Sequence, residues 1–151
     1  MDAEQELLDR IEKARAEREA AEADASKALR LERLKAEAEA EERAANLAKA
    51  MPKLVAEHGA IGRVLEVVNT TEGAIVVKRP ALPTWKKFQS DVQKDDARID
   101  ELQDKLVRGA IVYPDKIEAD RILGALGGIV ITLFNSIARL TGLSMQGLPG
   151  K

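Results

Sequence analysis

Residues 1–51 contain no Gly, Pro, Val, Thr or aromatic residue, and 15 of the first fifty are Ala. All 10 Gly, all 5 Pro and all aromatics lie after Met51. A chain of Ala, Glu, Lys, Arg and Leu has little choice of conformation, because these residues lose least on entering a helix. Opposite charges also recur at helical spacing, as in Glu6 with Arg10, Asp9 with Lys13 and Glu39 with Arg43; each such pair adds about 0.2–0.5 kcal/mol. The segment therefore predicts one long helix. Pro52 is its expected end, since proline lacks the N–H and restricts the residue before it.

What this helix touches is left open by its pattern. Leu7, Ile11, Ala14, Arg18, Ala21, Ala25 and Ala28 follow the four-three spacing of a coiled-coil seam. The phase then slips, and Leu31, Leu34, Ala38, Glu41, Ala45 and Ala48 resume it. Most of the seam is alanine, which buries little area. Three readings stand: a solitary solvated helix, self-association through a weak seam, and docking onto a partner.

The remainder, after a connection at 52–60, predicts a compact unit over 61–142 and a flexible tail at 143–151. Ile61–Val68 and Ala74–Lys78 are rich in β-branched residues, and 69–73 supplies turn chemistry, so the two form a hairpin. A hairpin alone is marginal and must pack on something. Pro83 and Thr84 open a helix on which Trp85, Phe88, Val92, Ile99, Leu102 and Leu106 share a face, broken where Asp95 takes the slot. Ala110–Pro114 then leads to a turn. Asp115 and Glu118 start the next helix as a capping box with Asp in place of Ser/Thr. Gly124, Gly127 and Gly128 cost about 1 kcal/mol each inside a helix, so two helices are expected near 116–125 and 128–141. The fold class is α+β, predominantly helical: a long protruding N-terminal helix, then a β-hairpin packed on a small helical bundle. Trp85 and Tyr113 are expected in the core.

Composition excludes several functions. With 24 Lys+Arg against 26 Asp+Glu the net charge is −2, unlike the basic domain of a dedicated nucleic-acid binder. The absence of cysteine removes thiolate zinc sites and cysteine nucleophiles, and a single histidine removes multi-histidine metal centres. Asp95 and Asp96 are neighbours that would point about 100° apart on a helix, so they do not converge as an acid–base pair. His58, read as a loop residue, has no nucleophile placed beside it. Lys78-Arg79-Pro80 with Lys86-Lys87 forms a small basic patch without aromatic interleaving, which reads as a solvated rim. No enzyme, cofactor or metal is expected. The longest uncharged stretch, Ile122–Ala138, is shorter than the roughly 20 residues that cross a bilayer and reads as a buried helix. The first residues lack the basic and apolar regions of a targeting signal. The expectation is an intracellular protein that works by contact.

The order of a hairpin with Gly73, then IVVKRP, a helix opening Trp85-Lys-Lys-Phe88, LVRGAIVYPD (Leu106–Asp115) and paired apolar helices ending IARLTG (Ile137–Gly142) resembles the small tail assembly chaperones of tailed phages and prophages. The resemblance covers about 61–142. Arg79-Pro80, Phe88, Leu106-Val107 and Val112-Tyr113-Pro114-Asp115 correspond to the family's pattern. Two features depart from it: the acidic helix of residues 1–50, and Gly127-Gly128 where the family has a Pro-containing break. The resemblance implies a protein without catalytic residues, working in the bacterial host cytoplasm, that binds the tape measure protein and tail tube subunits before the tail polymerises. A structural or adaptor protein of the virion, oligomerising through its first helix, is the other expectation. Candidate partner-binding residues are Gly124, Gly127 and Gly128, where small residues let a partner backbone approach closely, and Leu31 and Leu34 on the long helix.

Overall fold

The computed structural model describes residues 2–142, so the expected tail at 143–151 lies outside the described residues. The chain forms two units, one up to Glu42 and one from Arg43 onward. Its elements are α1 (Ala3–His58), β1 (Leu65–Thr70), β2 (Gly73–Lys78), α2 (Leu82–Val92), α3 (Ile99–Ala110), β3 (Ile111–Tyr113), α4 (Lys116–Ala125) and α5 (Ile129–Leu140). The α+β, predominantly helical class expected from the sequence is what the chain adopts.

The first unit is helix throughout its described length from Ala3, and none of its side chains is buried. Its ends and ion pairs follow from local chemistry: Asp2 Oδ1 accepts from the Gln5 N–H at 2.8 Å, and Arg18 pairs with Glu22 at 3.5 Å.

The second unit begins within α1 and is built around a three-stranded antiparallel sheet in the order β1-β2-β3. Ile75, Val76 and Val77 are all fully buried, because both faces of this strand are covered. Alternation along the strand sends Val76 to one face and its neighbours to the other. Val76 joins Leu65 and Val67 beneath the last turns of α1, where Leu47, Ala50, Met51 and Leu54 pack. Ile75 and Val77 join Val68 and the helices α2–α5 on the opposite face. The register accounts for this division, since Val67 faces Val76 and Val68 faces Ile75. Trp85, Phe88 and Phe134 form an aromatic cluster in the larger core, with ring centroids 5.4–6.2 Å apart.

Several expectations need correction. Helix α1 does not stop at Pro52 but runs to His58, so the 52–60 connection is mostly helix and His58 is a helix residue rather than a loop residue. A proline inside a helix costs about 3 kcal/mol. Here Pro52 is solvent-exposed, while Met51 and Leu54 beside it are anchored on the sheet. The stop is Gly59, whose φ is +129° and where a Cβ would come within 2.9 Å of Val64. The hairpin is offset from its expected bounds: β1 starts at Leu65, and Thr71-Glu72 is a two-residue loop closed by Thr70, whose hydroxyl donates to the Gly73 carbonyl and accepts from the Glu72 N–H.

Ile111–Tyr113, expected to lead into a turn, is a third strand that pairs with Val76 and Val77 across a register irregularity. The expected helix from Trp85 to Arg108 is two helices, with a turn at residues 93–98 where Asp95 interrupted the apolar period. Asp95 and Asp96 therefore sit exposed in that turn, not on a helix face, and Ile99 is half exposed at the start of α3. Trp85 is buried as expected, at 8% exposure, whereas Tyr113 is only half-buried, against the core of the α1 side.

Candidate partner-binding site

The α4–α5 corner follows from its glycines. Asp115 caps α4, its Oδ1 accepting from the Glu118 N–H at 2.9 Å, while Glu118 turns to Arg121 instead of closing the reciprocal half of a capping box. Leu126 leaves helical geometry at φ −120°, ψ 99°, and α5 starts after Gly128. The two helices are bent by 119° relative to each other. Leu123 and Ile129 are buried on either side of the corner and hold it to the core.

Gly124, Gly127 and Gly128 are all exposed, and a Cβ at any of them would meet nothing within 4 Å. Their smallness is therefore not used for packing inside this chain, and their backbone is open to solvent. Ile131, in the first turn of α5, is 62% exposed, and Ile117 at the start of α4 is 84% exposed.

In the first unit, Leu31 and Leu34 are 59% and 53% exposed, and Leu7, Leu8, Ile11 and Leu29 are open to a similar degree. No side chain of that unit covers them. The two sets of candidate residues lie in different units.

The remaining polar candidates are not brought together. His58 Nε2 lies 3.8 Å from Glu57 Oε2 and faces no hydroxyl or thiol nucleophile among the described hydrogen bonds. Among the described residues no three His, Asp or Glu side chains gather in a metal-binding arrangement. The ordered charges are ties between elements. Arg108 joins Asp104 of α3 to Asp120 of α4 at 2.8 and 2.6 Å, Arg121 donates to the Glu72 carbonyl of the hairpin loop at 3.0 Å, and Arg139 of α5 donates to Glu66 of β1 at 2.9 Å. The Arg121 guanidinium holds the Glu118 carboxyl below its usual range, against a smaller opposing effect of burial. Burial, and then the charge of Glu118, raises the Tyr113 phenol.

A feature not legible in the sequence is a groove of about 350 Å³ between α2 and α3, capped by the end of β2. Phe88, Leu102 and Leu106 line its floor, and Lys78, Lys87 and Lys105 with Asp91 its edge. It exists only because residues 85–108 fold as two helices. Its single sequence signal was the basic cluster at Lys78 and Lys86-Lys87.

No helix among the described residues is long and apolar enough to cross a membrane; the uncharged stretch from Ile122 is split between α4 and α5 and contributes Ile122, Leu123, Ile129, Leu133 and Ile137 to the core. No known protein family, characterised protein or solved structure matches this chain.

Proposed function

We propose that this protein is a non-enzymatic assembly chaperone of the tailed-phage type, which binds a tape measure protein, and tail tube subunits, in the host cytoplasm before tail polymerisation. The observation that supports this reading is the placement of the residues carrying the resemblance. Arg79-Pro80 follows β2, Phe88 belongs to the aromatic cluster, Leu106 and Val107 are buried, and Val112-Tyr113-Pro114-Asp115 spans the end of β3 and the cap of α4. All of them lie in the second unit, from Arg43 onward. A tape measure protein is expected to be long and helical with apolar stripes. Such a helix is bound by laying its apolar face against a groove or a second helix.

The client surface is the open corner at Gly124, Gly127 and Gly128. The test is co-purification of the client with the full chain and with two variants. Gly128→Leu should abolish capture; at φ −99° with open space around it, the substitution fits the backbone, and circular dichroism checks the fold. Leu31→Ala with Leu34→Ala should leave capture intact. The opposite pattern places the client on α1. Retention of client by both variants overturns both surfaces.

A second reading, a structural or adaptor component of the virion, is favoured by the exposed leucines of the first unit, which suit permanent pairing. Quantitative mass spectrometry of finished particles separates the two. A chaperone is absent from them, and a structural component is present in fixed copy number. A gene lying between those for the tail tube and the tape measure favours the chaperone.

A further inference from the structure

The groove between α2 and α3 and the first turns of α1 are complementary in both polarity and charge. The groove has an apolar floor whose Phe88 and Leu102 are only half-buried. Lys78 and Lys105 at its edge have no ion-pair partner among the described residues, while Lys87 shares Asp91, the one acid in the lining, with Lys94, so the groove keeps an excess of positive charge. The start of α1 is the reverse. Residues 2–12 carry five acids and one base. Leu7, Leu8 and Ile11 are 53%, 47% and 51% exposed. Helical spacing gathers these three into one patch, Leu7 with Ile11 at i,i+4 and Leu8 with Ile11 at i,i+3. Glu4 and Glu12 border it on the same row as Leu8, each four residues away. None of Glu4, Glu6, Asp9 and Glu12 has an ion-pair partner among the described residues.

We propose that the α2–α3 groove receives the acidic start of α1 from a second copy of this chain, with Leu7, Leu8 and Ile11 against Phe88, Leu102 and Leu106 and the carboxylates of Glu4 and Glu12 against Lys87 and Lys105. This is helix-in-groove recognition. A groove of about 350 Å³ takes a few anchor side chains and not a whole helix. The contact is therefore small, and the association is weak and transient, with a Kd on the order of tens of micromolar. Donor and acceptor surfaces differ, so the contact is heterologous: it closes as a reciprocal pair or propagates from copy to copy. It involves no client and goes beyond the chaperone reading, so either can fail alone.

The experiment is sedimentation equilibrium of the full chain from about 10 μM to about 1 mM, at roughly 0.05 M and 0.5 M salt. The expected result is a weight-average mass that rises with concentration, with an association constant that falls several-fold at high salt. Glu4→Lys with Glu12→Lys should be monomeric where the parent is half associated. So should Lys87→Glu with Lys105→Glu; all four side chains are exposed, and circular dichroism checks each fold. An equimolar mixture of the two charge-reversed proteins should regain association, because each then offers what the other lacks. A parent that stays monomeric throughout overturns the proposal. So does association that survives reversal of the two lysines, which puts the contact on the α1 seam, or a mixture that stays monomeric. A monomeric parent whose client capture is lost on reversing Lys87 and Lys105 assigns the groove to a client helix instead.

Discussion

Residues 3–42 and residues 43–142 are both mostly helix, yet they are stabilised by different physics. In the first, no side chain is buried, and the helix rests on the intrinsic preference of Ala, Glu, Lys, Arg and Leu with local ion pairs such as Arg18–Glu22. In the second, Gly and Pro are frequent and local preferences are weaker. Order comes from a strand buried on both faces and from two apolar clusters on either side of the sheet. The last turns of α1 show the contrast within one helix. From Leu47 to Leu54 it gains burial against the sheet and tolerates a proline, which a helix held only by local preference would not do cheaply. Helicity alone does not reveal what holds a helix.

The comparison can be broken by substitution. The largest effect is expected for Trp85→Ala, which removes the most buried of the three clustered rings and should cost about 3–5 kcal/mol in urea unfolding, while far-ultraviolet dichroism from the first unit persists. A variant as stable as the parent would put Trp85 outside the core. Next is Leu54→Ala, expected to cost about 2–5 kcal/mol. A near-zero cost would mean that the end of α1 stands on preference alone, like its beginning. Asp115→Ala removes the cap of α4 and should lower stability by about 1 kcal/mol, readable as a shift of the urea midpoint.

A smaller effect concerns pH. Lys94 and then Lys87 hold the Asp91 carboxyl below its ordinary 3.8, and Arg121 holds Glu118 below 4.5. Depressed folded values make these groups stabilising above the ordinary carboxylate range; the contribution falls as the pH drops below that range and is lost as acid protonates them in the folded state. Asp91→Asn should lower the melting temperature slightly at neutral pH, where the charged carboxylate pairs with Lys94 and Lys87, and flatten its fall in acid, so that variant and parent converge once Asp91 is protonated. The smallest effect is expected from removing residues 1–42. The remaining chain should unfold cooperatively at the parent's midpoint in calorimetry. Removing residues 1–50 instead takes away Leu47 and Ala50 and should lower that midpoint. Equal midpoints for the two truncations would erase the boundary between the units.

Much of the architecture was legible wherever a local cause is sufficient. The residues of 1–51 allow little except helix. The β-branched runs flanking 69–73 require a hairpin, and its bounds moved by only a few residues. The glycines at 124–128 require a break, and α4 and α5 meet there. Asp115 caps the next helix as its position implied. At the candidate site, the glycine spacing required a break, but it could not say that Gly124, Gly127 and Gly128 are exposed with empty space around them.

The amino-acid sequence by itself determined the long helix, the hairpin, the broken α4–α5 pair and the burial of Trp85, because each follows from the preferences of neighbouring residues or from a period within one element. Only the tertiary structure decided the rest. Pro52 stays helical because Met51 and Leu54 beside it are anchored on a sheet formed by residues later in the chain. Ile111–Tyr113 becomes a strand because β2 has a free edge to pair with. Residues 85–108 turn at 93–98 because a single helix would have carried Asp95 on its apolar face. That last choice opens the groove at Phe88, Leu102 and Lys105. A groove between two elements has no period in the sequence, since its residues are brought together by burial across the fold and not by spacing along the chain.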